Sequence, residues 1–192
     1  DSPRDAKGGK RGIRVALLAA RAASETNTVS VVASDFIGPR VRMAFAGERL
    51  IAPILKGQRV WPTGRIDAPH TFTYIPDFAA AMIRAAAASE TWNTVLHAPS
   101  NPALTQRELI NAYASEAGQT SPKITRIPAG VIHAMGWAMP SMRELAETVY
   151  QFDAPFVMDS ALSQQILGMT PTPMATAITE TIKWWRSEMP TT

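Results

Sequence analysis

The sequence predicts an α/β fold, in which helices pack against a sheet of largely parallel strands. Three observations carry that expectation. Helix-type and strand-type segments alternate along most of the 192 residues. The run 28–33, TVSVVA, is β-branched and almost continuously apolar, the pattern of a strand covered on both faces, as in parallel sheets. The composition, 46% hydrophobic and 18% charged, suits a globular chain with one sizeable core.

The elements follow in order. Residues 1–11 mix Pro, Gly and charge without period and read as a flexible basic lead-in. Residues 12–23, GIRVALLAARAA, are dense in helix formers and predict a well-buried helix. After the strand at 28–33 and Gly38-Pro39, a second helix is expected over 41–55, stopped by Lys56-Gly57. Residues 58–76 alternate β-type residues with Pro and Gly, which predicts short strands and turns. Asp77 is the expected N-cap of an Ala-rich helix, FAAAMIRAAAAS. TWNTVLHAP is a further strand segment; Thr105 and Glu108 then form a capping box for a helix that Gly118 ends. PKITRIP reads as a strand, and Pro128 opens a helix toward Met139. SMRELAETVYQF follows with Ser141 and Glu144 as its capping box, and a last amphipathic helix carries Trp184 and Trp185. The chain thus opens on a helix and strand that belong in the middle of a sheet, with the first strands missing.

Charge and composition exclude several classes of function. Five basic residues (Arg4, Lys7, Lys10, Arg11, Arg14) against Asp1 and Asp5 account for the whole net charge of +3, and the rest balances. A nucleic-acid binder needs a basic face through its folded body, so no nucleic-acid partner is expected. Without cysteine there are no disulfides or thiolate metal sites, which fits a cytoplasmic setting. No apolar run reaches membrane-spanning length, so a soluble protein is expected. His97 and His133 have no acidic or histidine neighbours at ligand spacing, so no metal is expected.

Candidate site residues cluster around VSVVASDFIGPRVR, residues 29–42. A buried-looking strand that stops at Ser34-Asp35 either delivers both side chains into a crevice at its carboxyl end or uses Asp35 to cap the turn at Gly38-Pro39. His70 is a pocket residue or a loop histidine bonded to backbone. Tyr74 is a packed ring whose hydroxyl has the reach to meet a polar ligand. Met135, Trp137, Met139 and Met142 line an apolar pocket or, more commonly for such clusters, fill the core.

The segments VVASDFIGP, HTFTYIPDFAAAMIRA, LTQRELI and LGMTPTPMATAITETIKWW occur in an order and spacing that resembles the C-terminal part of an extended short-chain dehydrogenase/reductase of the NAD-dependent epimerase/dehydratase family. The resemblance runs over about 12–186. It implies the later strands of a Rossmann-like doubly wound sheet plus the small substrate-binding region, so that residues 12–192 form an incomplete domain. It implies a bound NAD or NADP in the complete enzyme, with Ala33 and Phe36 beside the nicotinamide and Ser34, Asp35, His70 and Tyr74 toward a small-molecule substrate. Asp35 falls where the family usually holds an Asn against substrate, and Val32 stands where an Arg is usual.

Two of the family's catalytic features have no counterpart in these residues. No G-x-x-G-x-x-G turn follows a strand, and Tyr74, Tyr113 and Tyr150 are followed four residues on by Phe78, Ala117 and Ala154, not by the Lys of Tyr-x-x-x-Lys. The family's Lys would fall near Gly12, so either that Lys is lost or Lys10 serves instead. The catalytic residues of this chain are therefore unknown, and the chain alone is expected to bind no dinucleotide and to be inactive. YQFDAPFVMD carries no Arg to hold a diphosphate, so the substrate is not expected to be a nucleotide sugar. The alternative is a non-catalytic binding module, with exposed sheet edges favouring self-association into a homo-oligomer.

Overall fold

The structure is a computed structural model that describes residues 19, 20, 22, 23, 26–120, 122–138 and 149–189. The lead-in at 1–11, most of the helix expected over 12–23, and the Ser141/Glu144 capping box lie outside those residues. Among the described residues there are six short strands and six α-helices, in the mixed order of an α/β fold.

The apolar run at 28–33 yields β1 (Ser30–Val32), and after two residues the chain resumes as β2 (Asp35–Ile37). The strand does not end at Asp35 but changes neighbours there. β1 pairs in parallel with β5 (Val95–His97), whereas β2 pairs in parallel with β4 (Phe72–Tyr74). A short antiparallel pair, β3 (Pro69–His70) with β6 (Leu104–Thr105), lies beside them.

Helix α1 runs over Glu48–Leu55 and buries Leu50, Ile51 and Ile54. It is shorter than the expected 41–55 because the chain turns on itself first: Glu48 N–H donates to the Arg42 carbonyl at 3.2 Å. Helix α2 (Ile75–Ala87) begins before the expected cap. Tyr74 is the N-cap and Pro76 sits in the first turn, where its missing N–H costs nothing. Asp77 is therefore inside the helix, and its carboxylate clamps a distant loop, accepting from the N–H and Oγ1 of Thr172 at 2.7 Å each.

Helix α3 (Gln106–Glu116) starts on the Thr105/Glu108 capping box and stops before Gly118, whose φ is +75°. The expected PKITRIP strand is reduced to bridges Val60↔Ile124 and Thr63↔Ile127. Val60 and Gly64 donate across to Lys123 and Ile127, but Pro62, between them, has no N–H for the ladder. Helices α4 (Ala129–Ala138) and α6 (Met174–Glu188) are where the sequence places them, and α5 (Ala161–Leu167), stopped by Gly168, is additional.

The main core gathers Ile37, Leu50, Ile51, Ile54, Phe72, Tyr74, Leu109, Ile110, Tyr113, Ile178, Ile182 and Trp185, joining β2 and β4 to α1, α3 and α6. A smaller cluster of Ala81, Ala85, Leu96 and Leu167 seats α2 and α5 on one face of β1 and β5. Trp137 joins neither: it is 92% exposed. Among the described residues no helix is long and apolar enough to cross a membrane.

Candidate functional site

The site is built where β1 gives way to β2. In open α/β sheets ligands bind outside the carboxyl ends of the strands, and the carboxyl end of β1 is at Val32. Here the chain leaves β5 after Val32, passes Ala33 and Ser34, and joins β4 at Asp35.

Asp35 does not cap the following turn. Its Oδ2 lies 2.6 Å from Nε2 of His70, which β3 brings alongside. The two partners differ in exposure. The His70 side chain is buried, 3% exposed, whereas that of Asp35 is 22% exposed. The imidazole is held in an aromatic frame, with ring centroids of Phe72, Phe152 and Phe156 at 5.0, 5.0 and 5.2 Å. Phe45 stacks on the far side of Phe152 at 4.1 Å. A ring packed in this way cannot swing, so Asp35 is anchored through one oxygen. A carboxylate has room for several donors, and the partly open Asp35 keeps acceptor capacity for a polar group of a ligand.

Gly64 makes the frame possible. Its φ is +73°, and a Cβ there would stand 2.6 Å from the Phe152 carbonyl oxygen and 2.8 Å from the Phe152 Cβ. Arg65 N–H then donates to the same carbonyl at 2.7 Å, and Thr71 N–H to that of Phe156 at 2.9 Å. Backbone bonds thus fix both phenylalanines against His70.

Ser34 is buried with its polar groups used internally. Its N–H donates to Thr73 Oγ1 at 3.1 Å and its hydroxyl to the Thr71 carbonyl at 2.6 Å. The network continues from Thr73 to Ser100 Oγ at 3.0 Å, and Ser100 N–H donates to Ser160 Oγ at 3.1 Å. Ala33 and Phe36 are half-buried, and the Phe36 ring tilts against Phe78 with centroids 5.2 Å apart. Tyr74 is buried, and its hydroxyl donates to the Glu180 carboxylate on α6. Burial, and then that bond, pushes its phenol well above the ordinary tyrosine value.

Of the expected site residues, the structure joins Asp35 and His70, leaves Ser34 adjacent in the chain, and commits Tyr74 to a different partner. The sequence reading misses the aromatic frame, although Phe152 and Phe156 stand four apart in YQFDAPF. Among the described residues no group of His, Asp and Glu side chains has the arrangement of a metal site. A separate groove of about 720 Å³ runs along α3, lined by Arg107, Asn111, Ser115 and Gln119 among others, and includes none of the expected site residues.

No protein-family model matches the sequence, and no curated protein matches it either. Solved structures do match. The chain is similar to the UDP-glucuronic acid 4-epimerase of Bacillus cereus in complex with UDP-glucuronic acid and NAD (17% identity, TM-score 0.63, 84% of this chain and 46% of that one). It is similar to the UDP-glucose 4-epimerase of Thermus thermophilus in complex with NAD (19%, 0.68, 93% and 52%). A third likeness is RMD of Pseudomonas aeruginosa with NADPH (18%, 0.66, 90% and 52%). The expected α/β fold is therefore borne out: these residues share the fold of part of those Rossmann-type structures, and the chain spans about half the length of the structures it matches.

Proposed function

We propose that this chain is the substrate-side half of an NAD(P)-dependent epimerase/dehydratase-like oxidoreductase. The observation that carries the reading is the Asp35–His70 pair just beyond the carboxyl end of β1, the end of a strand at which ligands bind in open α/β sheets. Asp35, oriented by the buried His70, accepts a hydrogen bond from a substrate hydroxyl or amide. Ala33 and Phe36 border the nicotinamide ring, and Ser34 holds the crossing between β1 and β2 in place. Tyr74 contributes through its position beside Ile37 in register.

The matched structures were solved with NAD or NADPH, which supports one of these dinucleotides in the complete enzyme. When bound, it supplies or removes hydride; this chain's residues orient the substrate. The chain by itself is expected to be inactive, for lack of a Gly-rich dinucleotide turn and a Tyr-x-x-x-Lys pair in its sequence. Most of the matched enzymes are named for UDP-sugars, yet the wall beside His70 is built from Phe152 and Phe156 in a segment without Arg. A diphosphate favours a bidentate guanidinium, so the substrate proposed is a small polar molecule that is not a nucleotide sugar.

The test uses the natural polypeptide that contains these residues, assayed for NAD(P)-linked turnover against small hydroxy and keto compounds and against UDP-sugars. Asp35→Ala is expected to lower kcat/KM at least about tenfold, equivalent to about 1.4 kcal/mol, with NAD(P)H affinity unchanged. Preferred turnover of a UDP-sugar, or full activity in Asp35→Ala, contradicts the proposal. So does hydride transfer by the 192-residue chain alone.

A further inference from the structure

Away from the Asp35–His70 pair, the chain carries a groove with an open backbone edge along one side. The segment that follows α3 turns at Gly118 and returns beside the helix, where it bridges to 60–64. Val60 N–H donates to the Lys123 carbonyl at 2.8 Å, Thr125 N–H to that of Val60 at 2.9 Å, and Ile127 N–H to that of Pro62 at 2.9 Å. Backbone groups alternate in direction along an extended segment. Those of Ile124 and Arg126 therefore face the opposite edge, and among the described residues nothing bonds to them. Pro122 and Pro128 lack an N–H and bound this edge on both sides.

The edge borders the groove of about 720 Å³, a volume in the range of ligand sites. One wall is the stripe of Arg107, Asn111 and Ser115 along one face of α3, and the other is Pro122 and Ile124. The stripe is exposed, so its amide and hydroxyl groups are available to a guest. The charge is one-sided. Arg107 donates to Asp67 at 2.6 Å; that bond, and then the nearby charge of Arg126, hold the Asp67 carboxyl below the usual range. Lys123 is exposed alongside. Two guanidiniums thus share one carboxylate, and no Asp or Glu is among the residues that line the groove.

We propose that this groove takes an extended acidic peptide of a partner protein, added as a short strand along 123–127. The peptide backbone fills the outward N–H and carbonyl groups of Ile124 and Arg126, the mode by which open sheet edges bind peptides. Its carboxylates meet Arg107 and Arg126, which supply charge-assisted hydrogen bonds. The flanking prolines limit the added strand to the length of 123–127. A second copy of this chain is a poorer occupant, because edge-to-edge pairing would bring Lys123 and Arg126 of both copies together. The proposal is independent of the Asp35–His70 site, none of whose residues lines the groove.

The test uses the natural polypeptide that contains these residues and two capped peptides of about five residues, one alternating Glu with Val and one alternating Lys with Val. Titration followed by amide NMR is expected to saturate with the Glu peptide, with the largest shifts at Ile124 and Arg126. At saturation, hydrogen exchange of those two amides slows about tenfold or more. The Lys peptide leaves them unmoved. Arg126→Glu, a surface change that keeps the bonds to 60–64, weakens binding of the Glu peptide about threefold or more. Absence of saturation, an equal response to the two peptides, or equal competition by free glutamate overturns the proposal. So does slow exchange of both amides before any peptide is added, since the edge would then already be covered.

Discussion

At the residue scale, the account turns on how His70 is held. A buried imidazole with one nitrogen on a carboxylate loses that partner in Asp35→Ala, and an unsatisfied buried polar group costs about 1–3 kcal/mol. Asp35→Asn retains an acceptor and should cost clearly less. Chemical denaturation of the two variants side by side checks the ordering; equal loss would mean that the pair does not orient His70. Tyr74 offers a second test. Burial, followed by its bond to Glu180, raises its pKa, and burial alone raises that of Tyr113. A group whose folded pKa is raised stabilises fully below its unfolded value, about 10 for tyrosine, and that contribution declines as pH rises above it. Phenolate absorbance is thus expected to show Tyr74 and Tyr113 ionising only with alkaline unfolding, whereas Tyr74→Phe should extend stability to higher pH.

At the element scale, local signals were legible where the chain alone decides the outcome. The Thr105/Glu108 box and the Gly118 stop delimit α3 as the sequence predicts, and Thr105→Ala is expected to cost about 1 kcal/mol in thermal or chemical unfolding. Long-range effects decided the rest. Pro62 breaks the bridge to 124–127, a break that shows only once the partner segment is known. Asp77 looks like a cap until Thr172, 95 residues away, is found on its carboxylate. The sequence singled out both Asp35 and His70 as candidates. Their pairing was not legible, because the two residues lie 35 apart and meet only once β2 pairs with β4 and β3 carries His70 alongside. Gly64, the residue that admits Phe152, carries a specific cost. Gly64→Ala meets both a positive φ and a backbone oxygen at 2.6 Å, for a loss of about 1–2 kcal/mol from conformation alone. The Asp35–His70 pair should loosen with it, readable as faster exchange of the imidazole protons by NMR.

At the scale of the whole molecule, a closed core and an open sheet coexist. The side chains of Ile51, Phe72, Tyr113 and Ile182 are fully buried in one cluster, while Val32 and Val95 on β1 and β5 are exposed. That asymmetry, the half-length match to solved Rossmann-type structures, and an Asp35–His70 pair in a chain without the dinucleotide turn all favour the proposed function. In the proposed function these residues orient substrate, and the parts that hold the dinucleotide and move the proton belong to the remainder of a larger polypeptide. The most direct test is the intact mass of the protein in its native source. The account requires a mass near twice the 20.8 kDa of this chain, with these residues inside it; a native protein of 20.8 kDa would contradict it.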